Sequence, residues 1–199
     1  MIHYTLMKPA VVPKRFGINK LESFLQQKLN ERYIDLFDTF DEDTIVTTEM
    51  VNAEFTLPTD HELKTVELIV NPYNRAFLAY LNSLGTVNGN STEQQIRDVA
   101  TESDFEDYIR SVYEDPSDYN RINQSSGIRN DVNYILHAES YAADLAKIPD
   151  LSTSQDLSDA LNGYDVIYNN LYREYYTQNT HTIVGEMYAQ DIEKYGYTF

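Results

Sequence analysis

Four histidines, at positions 3, 61, 137 and 181, are the side chains best suited to moving protons near neutral pH. None belongs to an HExxH pattern, and no two stand four apart on a predicted helix. The sequence therefore spells out no zinc ligand set. His137 lies between Leu136 and Ala138 in a stretch with helical spacing. It reads as a core-edge histidine, because no orienting partner is apparent beside it. Carboxylates cluster at Asp98, Glu102, Glu106 and Asp107, and again at Glu114, Asp115 and Asp118. Paired carboxylates do acid–base work when burial separates their proton affinities. These sit among polar residues and read as a solvated acidic face.

Two further stretches fail on spacing. "DTFDEDT" (38–44) lacks the glycine at the sixth position and the glutamate at the twelfth that a calcium loop needs. "GTVNGNST" (85–92) has asparagine where a phosphate loop needs lysine, and it follows a predicted helix rather than a strand. There is no GxSxG and no nucleophile with an adjacent base. The absence of cysteine excludes disulfides, thiolate zinc sites and cysteine catalysis. No catalytic, metal or cofactor-binding residue is assigned, no cofactor is expected, and the chain reads as non-enzymatic.

The elements that would carry these residues follow from periodicity. Ile2, Tyr4 and Leu6 alternate with His3 and Thr5, and Pro9 and Pro13 forbid a helix. Residues 2–12 are therefore expected to form a strand or an extended arm, and residues 1–17 together an extended basic arm. A helix capped by Asn19 is expected to carry one apolar face through Leu21, Leu25, Leu29, Tyr33, Phe37 and Phe40. "MVNAEFTL" and "ELKTVELIV", joined by "PTDH", read as a hairpin over residues 50–70. "NPYNRAFLAYLNSLG" has Asn71 as cap, Pro72 at the first helical position and Gly85 just past the end. Short helices are expected over 92–100 and 103–113. A long helix over residues 128–148 stops at Pro149. The fold class is α+β, mainly helical, with a small antiparallel sheet and the N-terminal arm. Residues 18–199 form one domain with a tyrosine-rich region over 150–199.

That region holds Tyr164, Tyr168, Tyr172 and Tyr176, each four residues from the next. On a helix they would form one slowly wrapping ridge, drifting ~40° per step. Tyrosine covers apolar area with few rotors and a polar tip, which suits a contact surface; a wide core helix fits the same spacing. Further tyrosines at 188, 195 and 197 tilt the reading towards an interface.

Charge bears on partners. The net charge is −17. Residues 1–34 carry six basic against two acidic side chains, whereas residues 35–118 carry four against nineteen. So acidic a body repels a phosphate backbone, so direct sequence-specific nucleic-acid binding is not expected. No stretch approaches the ~20 apolar residues of a membrane span, nor is there a signal-peptide core.

The expected function is structural: a subunit of a virus particle such as a phage head–tail connector or neck ring. It would be assembled in the host cytoplasm, as a homo-oligomer touching other structural proteins. The expected interface comprises Ile2, Tyr4, Leu6, Lys8, Lys14, Arg15, Tyr164, Tyr168, Tyr172 and Tyr176, and deleting residues 1–12 is expected to leave a folded monomer. The alternative is an acidic inhibitor that mimics DNA in the basic groove of a restriction or CRISPR enzyme.

Overall fold

A computed structural model describes residues 1–6, 18–30, 33–34, 61–87, 91–115, 117–118, 132–149, 151 and 170–199. In chain order the elements are β1 (Ile2–Leu6), α1 (Ile18–Leu29), β2 (Tyr33–Ile34), β3 (Glu62–Ile69) and α2 (Pro72–Leu84). Next come α3 (Glu93–Arg97), α4 (Glu102–Glu114), β4 (Tyr134–His137) and α5 (Tyr141–Leu145). A 3₁₀ turn (Leu171–Tyr175), α6 (Gln178–Met187) and α7 (Ala189–Tyr195) complete the described residues.

The four strands form one sheet in the order β2-β1-β3-β4, and every pairing is parallel. The mainly helical α+β class fits roughly, but the expected antiparallel sheet is corrected to a parallel one. Val66, Leu68 and Val70 alternate as they would on a half-exposed strand, yet burial is continuous from Thr65 to Val70. Both faces of β3 are covered, as parallel sheets require. β3 pairs with β1 and β4, which are distant in sequence, instead of closing a hairpin. The first arm of that hairpin, residues 50–57, lies outside the described residues.

Of the expected N-terminal arm, residues 2–6 take the strand form of that reading, and residues 7–17 lie outside the described residues. Ile2–Leu6 is an inner strand, with β2 on one side and β3 on the other. Tyr4 is buried in the core while Ile2 stays exposed at the strand's start.

Local signals place α2 well. Asn71 caps it, its side chain accepting from Tyr73 N at 3.0 Å. Gly85 ends it at φ 70°, a left-handed conformation that glycine adopts without a Cβ clash. Three other expectations change. α1 stops at Leu29 and Asn30 takes a positive φ of 49°, so Tyr33 belongs to a strand and not to a continuing helix. α4 starts at Glu102, one residue before the expected 103, and is capped by Thr101, whose Oγ1 accepts from Asp104 N. The long helix over 128–148 is replaced by β4, a turn and α5.

One hydrophobic cluster joins these pieces. Phe105, Ile109 and Val112 give α4 its inward stripe. Phe77, fully buried on α2, stacks on Tyr175 with centroids 4.7 Å apart and meets Phe105 edge-on at 5.6 Å. Burying such a side chain contributes about 1.5–3 kcal/mol. No described helix is long and apolar enough to cross a membrane.

Candidate functional site

In this sheet the strand order reverses between β1 and β3: the chain runs outward to β2 from one and to β4 from the other. In open parallel sheets, ligands bind outside the carboxyl ends of the strands near such a switch. One strand away from that switch, at the carboxyl ends of β3 and β4, stand Asn71, His137, Glu139 and Asp144.

The turn after β4 builds the first contact. Ala138 N extends the ladder to Ile69 O, and Ser140 N bonds back to His137 O at 2.9 Å. The chain then enters α5, which returns Asp144 to His137. Asp144 Oδ2 accepts from the His137 backbone amide and lies 2.9 Å from the ring Nδ1. Its other oxygen accepts from Lys147 Nζ at 2.6 Å.

Burial raises the proton affinity of this carboxyl. Hydrogen bonds from Lys147, the His137 amide and the His137 ring outweigh it and hold the group below the usual aspartate range. An ionised carboxylate only accepts, so Nδ1 carries the proton and Nε2 is left to exchange one. His137 is 37% exposed while Asp144 is 7% exposed, so the orienting group is sheltered and the imidazole is reachable.

Asp144 makes a prediction about acid. A folded-state pKa below the unfolded value of about 3.9 means its stabilisation is present above that value and disappears as pH falls through the folded one. Asp144→Asn should lower Tm at neutral pH and flatten its decline in acid. The check is a melting series between about pH 2 and 7; parallel curves for the two proteins would refute it.

Asn71 ties the site together with every polar atom it has. Its amide donates to Glu139 Oε1 at 2.7 Å, Oδ1 caps α2, Nδ2 donates to Thr198 O at 3.0 Å, and its carbonyl accepts from Arg75 N. Glu139 as a residue is exposed, but its carboxyl end is turned inward to this amide. Burial raises its proton affinity above the glutamate range, partly offset by the Asn71 amide. Two carboxyls, one in the turn after β4 and one in α5, are thus pushed in opposite directions, which separates a group that keeps its proton longer from one that stays ionised.

The acidic clusters hold nothing comparable. Asp98, Glu102, Asp107, Glu114 and Asp115 are exposed. Glu106 is tied to Arg110 and to Thr177 and Asn179 of the α6 start, and the Arg110 hydrogen bond leads in lowering its proton affinity. No three potential metal ligands converge among the described residues.

The expected interface residues fall in different places. Ile2 is exposed and Tyr4 is buried in β1. Leu6 closes that strand. Tyr172 is buried in the 3₁₀ turn. Tyr176 packs against Tyr73, Phe105, Tyr172 and Phe199, and its hydroxyl donates to Tyr73 O at 2.8 Å. Lys8, Lys14, Arg15, Tyr164 and Tyr168 lie outside the described residues. No protein-family model, no curated protein and no solved structure matches the chain.

Proposed function

We propose that the chain binds a small polar molecule across the carboxyl ends of β3 and β4, with His137 exchanging a proton with it through Nε2. Asp144 fixes the ring and its tautomer, and Glu139 offers a second acid–base group nearby. The observation that carries this reading is the 2.9 Å contact between His137 Nδ1 and a sheltered Asp144 at the carboxyl edge of a parallel sheet. The test is a thermal-shift screen of small polar metabolites against wild type and His137→Gln. Compounds that raise Tm should do so in the wild type and lose most of the effect in the variant. Equal shifts in both proteins would place the binding elsewhere.

A second reading, the assembly subunit, draws on charge segregation: a basic segment through residue 34 followed by a strongly acidic one. Opposite charges on neighbouring copies would attract, and salt would weaken that attraction. Mass photometry at low and high salt decides it. Discrete oligomers that loosen with salt support assembly, and a monomer throughout removes it.

A further inference from the structure

The residues after α7 lie over the His137 site. Gly196 ends α7 at φ 67°, and Tyr197 N bonds to Ile192 O at 3.1 Å. This turn sends residues 197–199 back across the ends of β3 and β4, and each is anchored differently. The Tyr197 ring stands edge-on to the His137 imidazole, with centroids 6.1 Å apart and planes at 68°. Thr198 O accepts from Asn71 Nδ2. The Phe199 ring meets Tyr73 and Tyr176 at 5.2 Å and His181 at 4.7 Å, with the Arg173 guanidinium 5.3 Å from its centre.

The Tyr197 hydroxyl is turned inward. It lies near enough to Glu139 to lower that carboxyl's proton affinity, yet it closes no hydrogen bond of good geometry. The hydroxyl therefore does little to hold the segment; the anchors at Thr198 and Phe199 do that.

We infer that Tyr197 is the positioning residue of the His137 site and the wall that limits what reaches Nε2, kept in place by a strap running through Thr198 and Phe199. The inference rests on the proposed site in taking Nε2 as the exchanging atom. Asp144 fixes one ring nitrogen, but a single contact leaves the imidazole free to rock about it. An aromatic edge against the ring removes that freedom and occupies one side of the approach. The ring should matter more than the hydroxyl, because the hydroxyl has no closed bond to lose.

The experiment is acylation of histidine by diethyl pyrocarbonate at fixed pH, with rates read separately at His137 and His61 by peptide mass spectrometry. Tyr197→Phe keeps the ring and should react at His137 like the wild type. Tyr197→Ala should react about tenfold faster there, the factor that matches losing ~1.4 kcal/mol of preference for the closed arrangement. His61, in the residue just before β3, should not change. Imidazole nitrogen shifts give the second readout: His137 should keep the Nδ1-protonated pattern in Tyr197→Phe and drift towards an average of tautomers in Tyr197→Ala.

Unchanged His137 rates in Tyr197→Ala, or an equal rise in Tyr197→Phe, would overturn the inference. If Tyr197→Ala loosens the whole chain, so that His61 rises in parallel, Phe199→Ala decides. That variant keeps Tyr197 and removes one anchor. A rise at His137 with His61 unchanged supports the strap, and any other result overturns it. A ligand screen that stays silent while these rates behave as expected would sink the binding proposal and leave the strap standing.

Discussion

Deleting residues 1–6 is expected to abolish cooperative folding. β1 lies between β2 and β3, and its register runs from Ile2 opposite Glu62 to Leu6 opposite Val66. Without it, the two-residue β2 has no sheet to join, and β3 presents a row of unpaired backbone groups that the native fold buries. Tyr4, almost fully buried, leaves the core with the strand. Loss of a large buried aromatic alone costs about 3–5 kcal/mol, a large share of the ~5–15 kcal/mol that holds a typical domain together. The truncated chain should show no sharp thermal transition and little near-ultraviolet dichroism. A truncated protein that melts sharply near the wild-type temperature would mean that these residues form a dispensable arm, as the sequence suggested.

The second large effect is expected at the buried ion pair under α2. Arg75 is 1% exposed and Asp191 is fully buried, with Nη1 3.5 Å from Oδ2. The guanidinium also lies 4.1 Å from the centre of the Tyr188 ring. Removing one partner of a buried pair costs about 3–5 kcal/mol, because the other charge remains in a medium that solvates it poorly. Arg75→Ala should therefore fall that far in urea denaturation, as should Asp191→Ala. The double change Arg75→Met with Asp191→Leu removes both charges and keeps the volume, so it should recover most of the loss. If the double variant is as unstable as the sum of the singles, the pair holds the fold by specific geometry and not by mutual compensation of charge.

What could be read from the sequence follows the range of the forces involved. α2 was legible in full because cap, first-turn proline and terminal glycine act within a few residues of one another. Strand direction was not, because β3 pairs with segments about sixty and seventy positions away, and nothing in "ELKTVELIV" names its partners. The burial of Ile69 on the face opposite Leu68 was the available hint, since a half-exposed strand rarely puts isoleucine outside. His137 was misread because its partner is seven residues on, a spacing that no single helix brings together. The signal that could have found it is Ser140, whose carbonyl accepts from Asp144 N as the new helix begins. A helix start there requires the preceding "YILH" to be something else. The regular spacing of Tyr172 and Tyr176 belonged to no helix: the first lies in a 3₁₀ turn and the second ends it, with both rings turned to neighbours within the chain.

The order of the strands also sets a schedule for the growing chain. Ile2 pairs with Glu62, and Val66 with Tyr134, so neither inner strand, β1 or β3, can complete its pairing from the chain just made. At ~5–20 residues per second, the first strand waits roughly 3–12 s for β3 to be synthesised, and a comparable interval passes before β4. During the second interval the "VELIV" segment, apolar but for Glu67, has to be kept from other chains. The net charge of −17 is spread along the whole chain and does not shield this segment locally, but β3 itself holds Glu62, Lys64 and Glu67 within eight residues. Those three charges punctuate the run and repel a second copy in register, so the same residues that sit at the sheet in the finished molecule act as gatekeepers while it is being made.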